Sequence, residues 1–302
     1  MHAWEQIQVT LDYIEDQLAE EIKIEELSRL AALSQFYYQR LFSRLVKRSV
    51  NDYIKLRRLA RASEALKDKS VRILDVALDS GFSSHETFTR SFKEAFGMTP
   101  EEYRSNPVRL NNFIKPQLLL NYTLIDENVP LIADGIVIEI SRRKLTSPQY
   151  FIGLTVEEPS AQMPGSGATG VDELGMLWDS FHEKKPSIQG LKDGGDELGV
   201  AYPGTKEGYY RYFAGTETDS GKATNGYSTW ELPEGEYIVC SFEAEDFEHL
   251  IMDAVYKADK YLFETWLPNH KLTCQPFAAE RYASHTPETT GMEVWIAPLP
   301  LQ

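Results

Sequence analysis

Between residues 22 and 104 the chain carries one device twice, and that duplication limits what its first third can fold into. Each copy is a short helix, a tight turn and a second helix bearing polar and basic side chains. The first runs Leu27-Ser28-Arg29-Leu30-Ala31-Ala32-Leu33, turns at Ser34, and continues Gln35-Phe36-Tyr37-Tyr38-Gln39-Arg40-Leu41-Phe42-Ser43-Arg44. The second runs Ile73-Leu74-Asp75-Val76-Ala77-Leu78-Asp79-Ser80, turns at Gly81-Phe82-Ser83, and continues Ser84-His85-Glu86-Thr87-Phe88-Thr89-Arg90-Ser91-Phe92-Lys93. Two helix-turn-helix units in tandem supply two probes for adjacent major grooves. The expectation for this region is therefore binding to double-stranded DNA.

A net charge of −15 opposes that reading until it is divided along the chain. Residues 28–107 hold 15 Lys and Arg against 9 Asp and Glu, a surplus of +6. Residues 1–27 stand at −7 and residues 108–302 at −14. A basic block between two acidic ones points to one nucleic-acid face and a carboxylate-rich remainder. The 302 residues suffice for two domains with separate cores. No apolar run reaches the ~18 residues of a membrane helix, and the amino terminus lacks a signal-peptide pattern. Cys240 and Cys274 form no CxxC, and the histidines show no ligand spacing, so we expect a cytoplasmic protein with no metal, cofactor or membrane partner. Gly165-x-Gly167-x2-Gly170 formally matches a dinucleotide fingerprint. Its loop begins at Glu157, carries Pro159 and Pro164, and is too long, so it reads as a flexible loop and a candidate lid.

Around the two units, Trp4, Ile7, Leu11, Ile14 and Leu18 recur at three- and four-residue steps, the stripe of an amphipathic helix. Leu27, Leu30, Ala31 and Leu33 are expected to face inward from the next helix. From Val50 to Asp68 a helical pattern runs without Gly or Pro. Those 19 residues span roughly 28 Å, against ~34 Å for one turn of B-DNA. A rigid spacer of that length would present both probes to one DNA face from a single subunit. Phe42, Phe88, Phe92 and Phe96 sit at core spacing. Of Phe36 and Tyr37, one is expected to stack and the other to pack.

The second unit reads Ala77-x3-Gly81-Phe82-x5-Phe88-x3-Phe92-Lys93-x3-Gly97-x-Thr99-Pro100-x2-Tyr103-Arg104. Arg57, Arg58, Leu59 and Ala62 occupy the spacer, and Ser34, Phe36, Arg40 and Phe42 the first unit. Together they resemble the AraC/XylS family of transcription regulators over residues 5–107. The resemblance implies base and groove contacts from Phe36, Tyr37, Gln39 and Arg40 in the first unit. In the second it implies Ser84, His85, Glu86, Thr87 and Arg90. Promoter DNA is the implied partner, with RNA polymerase as a further candidate. The chemistry agrees, since Arg suits guanine, Gln suits adenine and an acceptor such as Glu86 suits cytosine. Arg44, Lys47, Arg48 and Lys93 are assigned to phosphates, which position a protein without specifying sequence.

Ser105-Asn106-Pro107 closes this all-α domain at residue 107. Residues 108–135, with Pro116, Pro130 and Gly135, read as a linker with one or two strands, the stretch 118–125 alternating loosely. From Ile136 the pattern changes to short strands broken by two helices. Strands are expected at 136–140 and 149–156, then a helix through Leu174, Leu177, Trp178 and Phe181, then strands at 198–202 and 209–215. The order recurs as a strand at 235–242, a helix over 246–266, and strands at 277–283 and 292–298. A strand-helix-strand-strand repeat thus occurs twice, which predicts a pseudo-symmetric α+β domain over 136–302. A cleft between its halves is a natural small-molecule site.

This half resembles the GyrI-like effector-binding domain of multidrug-sensing regulators. The carriers are Tyr150-Phe151-Ile152-Gly153-Leu154, Leu177-Trp178-x2-Phe181, Leu198-Gly199-Val200-x-Tyr202, Tyr212-x2-Ala214-Gly215, Leu232-Pro233-x-Gly235-x-Tyr237, Trp266-Leu267-Pro268, Phe277-x2-Glu280-x-Tyr282 and Glu293-Val294-Trp295-Ile296. The resemblance implies a buried carboxylate that meets lipophilic cations, here Glu280. Tyr282, Trp178, Tyr202, Tyr212 and Trp295 would be aromatic walls and Glu293 a second carboxylate. Aromatic faces attract cations by roughly 0.5–2 kcal/mol each, and an unpaired buried carboxylate must find a partner. The leading expectation is a regulator that senses a small lipophilic or cationic effector, with no catalytic residues. An alternative is a hydrolase acting on strained genotoxic compounds, with Glu280 as general base. A third is a drug-sequestering module.

Overall fold

The chain is represented by a computed structural model that describes residues 2–133, 135–219, 221–222, 226–282 and 290–301. It divides into two compact units, residues 1–119 with 164–172, and residues 120–163 with 173–302.

In the first unit the helices are α1 (Ala3–Asp16), α2 (Ile24–Leu30), α3 (Gln35–Val46), α4 (Val50–Ala65), α5 (Ile73–Asp79), α6 (His85–Phe96) and α7 (Pro100–Ser105), followed by the short strand β1 (Leu110–Asn111). Their starts follow from the sequence. Ser34, Ser49 and Ser84 accept the backbone N–H groups of Tyr37, Asp52 and Thr87 and so cap α3, α4 and α6. Thr99 and Glu102 form a reciprocal capping box on α7. Two apolar cores result. One gathers Ile7, Leu11, Leu27, Tyr38, Phe42 and Tyr53, the other Leu59, Ala77, Phe88, Phe92 and Tyr103. Helix α4 enters both, with Tyr53 at one end and Leu59 at the other, so it is a wall shared by the two helix-turn-helix units. Its 16 residues cover ~24 Å, shorter than the 19-residue reading because helical geometry ends at Ala65. Leu27 and Ala31 are buried as expected, whereas Leu30 is 40% exposed.

The second unit begins within α8 (Leu118–Tyr122), which is helical where the apolar run 118–125 reads as a strand. Such short apolar runs fit either state by periodicity alone. The strands are β2 (Leu131–Ala133), β3 (Ile136–Leu145), β4 (Gln149–Pro159), β5 (Gly170–Val171), β6 (Glu197–Pro203), β7 (Tyr209–Thr218), β8 (Ser228–Leu232), β9 (Gly235–Glu243), β10 (Leu272–Cys274), β11 (Ala278–Tyr282), β12 (Gly291–Ile296) and β13 (Pro298–Pro300). Ala283, the end of one strand expected from sequence, lies outside the described residues. Between β5 and β6 runs α9 (Glu173–Lys184). Between β9 and β10 runs a helix with two π segments, in pieces α10 (Phe247–His249), α11 (Val255–Lys260) and α12 (Leu267–Asn269).

Nine strands form one sheet in the order β2-β3-β9-β12-β11-β6-β7-β4-β8. The expected duplication is visible in that order. β4-α9-β6-β7 forms the three-strand block β4-β7-β6, and β9 with its helix, β11 and β12 forms the block β9-β12-β11. The blocks meet where β6 and β11 pair antiparallel, with Glu280 opposite Gly199. Strand β5 and its neighbours behave differently from the rest of their stretch. Residues 164–172 belong to the first unit, where β5 pairs with β1 and Arg48 Nη2 donates to the Gly167 carbonyl at 2.9 Å. The second half of the loop read as a free lid is therefore anchored by backbone pairing.

Candidate DNA-reading face and ligand site

On α3 the residues alternate by helical geometry between core and solvent. Tyr38, Phe42 and Val46 are buried, while Gln39, Arg40, Arg44 and Lys47 are exposed. Phe36 and Tyr37 are 67% and 62% exposed and meet edge to face at 5.5 Å. Both rings point outward, which corrects the expectation that one of them packs. Tyr38, one step further, takes the core place because 38, 42 and 46 fall on one stripe. On α6, Phe88, Phe92 and Phe96 are buried, and His85, Glu86 and Arg90 are exposed. Ser84 and Thr87 are half-buried, with the Ser84 hydroxyl 3.2 Å from Thr87 Oγ1 and also capping the helix. The α6 backbone N–H of Glu86 itself, followed by the Ser84 hydroxyl, holds the Glu86 carboxyl below the usual range. An exposed, ionised acceptor at a helix start suits a base amino group.

The spacer arginines turn inward. Arg57 grips Glu15 through Nε and Nη2 at 2.9 and 3.0 Å and donates to the Phe113 carbonyl. Arg58 donates to the carbonyls of Leu18, Glu20 and Gly81 at 2.8, 2.6 and 2.7 Å. Gly81 has φ +81°, and a Cβ there would sit 2.6 Å from the Leu18 carbonyl and 2.8 Å from Arg58 Cζ. Glycine is thus required both by the turn and by the clamp.

In the second unit, strand alternation decides which side chains share a face. Glu280 is opposite Val294 on β12 and Gly199 on β6. Tyr212 lies on the same face, since its partner Ala201 is two residues from Gly199. The Tyr212 hydroxyl donates to Glu280 Oε2 at 2.5 Å and accepts from Trp178 Nε1 on α9 at 3.3 Å. Trp178 also meets Tyr282 edge to face at 5.4 Å. Gly199 makes room for this arrangement, because a Cβ there would lie 2.0 Å from Tyr212 Oη and 3.0 Å from Glu280 Oε2. Burial pushes the Glu280 carboxyl up, only partly offset by the Tyr212 bond. Burial and then the Glu280 charge push the Tyr212 and Tyr282 phenols well up. Four of the seven expected residues, Glu280, Tyr212, Tyr282 and Trp178, are therefore together.

Tyr202, Glu293 and Trp295 lie on the other face, which corrects the single seven-residue site. The register places Val294, not its neighbours, beside Glu280, so 293 and 295 point away. Tyr202 packs against Trp230, and Trp295 against Tyr237. Glu293 is gripped by Arg143 and accepts from Trp295 Nε1 at 2.8 Å. Glu293 and Trp295 line a separate crevice of about 630 Å³ with Arg281, Asp196 and Gln149.

Sequence reasoning passed over two acidic residues on the Glu280 face. Glu197 is buried and accepts from His182 Nε2 at 2.9 Å and Lys185 Nζ at 2.6 Å. Those donors outweigh burial and hold its carboxyl down. Asp259, on α11, has no hydrogen-bond partner at Oδ1 among the described residues, and burial followed by the Glu280 charge pushes it well up. Among the described residues no group of three or more His, Cys, Asp or Glu is placed to hold a metal. Nor is any helix there long and apolar enough to cross a membrane.

Comparison with known proteins matches residues 27–106 to a helix-turn-helix domain family and residues 148–297 to the GyrI-like small molecule binding domain. The HTH-type transcriptional regulator YbfP of Bacillus subtilis is 42% identical over 99 residues, 33% of this chain and 34% of that protein. The chain thus spans about a third of that relative's length. The probable transcription factor PqrA of Proteus vulgaris is 40% identical over 98 residues, 32% of this chain and 80% of PqrA. An AraC-type regulator structure from Chromobacterium violaceum aligns over 34% of this chain and 96% of its own, with 24% identity and a TM-score of 0.32. The chain belongs to the AraC/XylS family of helix-turn-helix regulators and carries a GyrI-like small-molecule binding domain behind its DNA-binding-type helices.

Proposed function

We propose that the protein is a cytoplasmic, ligand-responsive transcription regulator. Helices α3 and α6 read promoter DNA, the second unit senses a small lipophilic cation, and RNA polymerase is the machinery addressed. The observation that carries the sensing half is the Glu280 carboxylate. It sits among Tyr212, Trp178 and Tyr282 and forms no ion pair among the described residues. Such a site lacks only the positive charge. Tetraphenylphosphonium, followed by quenching of tryptophan emission, is expected to bind the full chain. Glu280→Gln keeps the shape and removes the charge, and should weaken binding by about tenfold or more. Equal affinity in the two proteins sinks the reading. Mass spectrometry after incubation with a strained cyclopropane compound separates a sensor, which returns it unchanged, from a hydrolase, which yields its water adduct.

For the DNA half, the expected footprint covers about two helical turns. Arg40→Ala is expected to relax preference at one base pair by about 1–3 kcal/mol. The phosphate role of Lys47 is tested with Lys47→Asn, because Lys47 has φ +61° and Asn tolerates that region. That change should weaken all sequences alike and lower the slope of log affinity against log salt by about 1. A sequence-dependent loss from Lys47→Asn would reverse the assignment.

A further inference from the structure

Asp259 introduces a second carboxylate to the Glu280 face. Helix α9 packs on β4 and β7, and α11 packs on β9, so the two helices flank the central strands that hold Glu280. Asp259 Oδ1 is shut off from solvent and has no hydrogen-bond partner among the described residues. Neither Asp259 nor Glu280 forms an ion pair among those residues, and the donor found for Glu280 is the Tyr212 hydroxyl. Strand β9, on which α11 packs, pairs with β12 so that Cys240 faces Val294, the residue opposite Glu280, which brings α11 to the Glu280 side of the sheet. With the Tyr212 hydroxyl as the donor found for the pair among the described residues, the two carboxylates are short of donors, and buried polar atoms are seldom left that way.

We infer that this face of the sheet takes a compact ligand with two cationic nitrogens on a flat apolar body, one nitrogen answering Glu280 and the other Asp259. The inference rests on the reading of Glu280 as a cation site and adds the second charge. The flat body matches the rings of Trp178, Tyr212 and Tyr282. A singly charged ligand would leave Asp259 without a donor, so affinity should follow the number of ammonium groups rather than apolar area alone. Burial pushes both carboxyls up, so a dication that favours their ionised forms should release protons on binding. The ionisable groups that face the pair are Tyr212 on β7, Tyr282 on β11, Cys240 on β9, Tyr256 on α11 and Glu197 on β6. The Tyr212 and Tyr282 phenols and the Cys240 thiol are held up by burial, and Glu197 is already held down by its own donors. The two unpaired carboxyls are then the source of the released protons.

The test compares 1,4-bis(aminomethyl)benzene with 4-methylbenzylamine, which share a ring and differ by one ammonium. Calorimetry on the full chain in two buffers of different ionisation heat gives both affinity and protons released. The diamine is expected to bind about tenfold or more tighter and with a buffer-dependent heat. Asp259→Asn should bring the diamine-to-monoamine ratio close to one. A wild-type protein without diamine preference, a buffer-independent heat, or an Asp259→Asn ratio equal to wild type overturns the inference. The cation reading of Glu280 survives those results if Glu280→Gln still weakens tetraphenylphosphonium. If Glu280→Gln is without effect on every cation, that reading falls and the inference with it.

Discussion

Arg58→Ala is expected to lower the stability of the first unit by about 3 kcal/mol and to abolish high-affinity binding to a two-part DNA site. Arg58 projects from α4, the wall shared by both cores, and its guanidinium bonds three carbonyls. Leu18 and Glu20 belong to the chain between α1 and α2, and Gly81 to the turn between α5 and α6. One side chain therefore ties the segment that leads into the first helix-turn-helix unit, the spacer and the turn of the second unit together. Each charge-assisted bond contributes about 1.5–3 kcal/mol when well enclosed. The group is only half-buried, so the low end of that range applies to each, and the carbonyls exposed by its removal regain some water. The effect on DNA is larger than the stability loss implies. Two probes on one rigid body bind as one event, and loosening one against the other returns each to its own weak affinity. Arg58→Lys should rescue little, since a single ammonium cannot span three carbonyls that a planar fork reaches. Urea unfolding and footprinting on a two-turn site check this. A stability change below about 0.5 kcal/mol, at the level of a surface substitution, with an unchanged footprint would remove the clamp from the account.

Much of this architecture is legible before any coordinates exist, because repeats and caps are local signals. Ser34, Ser49, Ser84 and Thr99 announce helix starts, and the phenylalanines of α6 announce a core stripe. Glu280 is legible for a related reason, as the lone acid of the stretch from Phe277 to Tyr282. What is lost is whatever depends on register between distant strands. Glu293 and Trp295 read as neighbours of Glu280, yet a one-residue difference in pairing sends them to the opposite face. Gly199 reads as part of a motif, but its reason is the hydroxyl of Tyr212 from the adjacent strand. Asp259 is hidden differently. It stands between Lys257 and Lys260 and looks like a solvated helix residue. The π segments at Leu250–Ala254 and Tyr261–Trp266 shift the angular register on both sides of α11, so a simple helical wheel misjudges the direction in which it points. Leu30 and the pair Phe36 and Tyr37 show the reverse case, apolar side chains that the fold leaves outside.

Asp259→Asn and Glu280→Gln are each expected to stabilise the ligand-free protein at neutral pH, by about 1–2 kcal/mol, as relief of a buried carboxylate short of partners. The pH dependence carries the sharper test. Both carboxyls have folded-state pKa values above their unfolded ones, from burial first and, for Asp259, from the Glu280 charge next. The native state then holds more protons than the unfolded state between the ordinary carboxylate pKa and the raised one. Stability must fall as pH rises through that window. An amide has no proton to lose, so each variant should show a flatter decline than wild type as pH rises above the ordinary carboxylate range. Other shifted groups act in or near this range and do not confuse the comparison. Glu158 is raised by burial, so stability is lost there too as pH climbs, but equally in variant and wild type. Glu197 is held down by His182 and Lys185, so its contribution is complete above its unfolded pKa and is lost only on acidification. His249 is raised by Asp246, so its contribution is lost as pH climbs, but equally in variant and wild type. The difference between the two denaturation series isolates the carboxyl pair. Parallel series would mean that Asp259 and Glu280 already have their charges compensated, and a pair in that condition would have no need of a dication. A pair that weakens the empty fold and strengthens only the occupied one is a binding device. Its retention is then explained by the ligand rather than by the sheet.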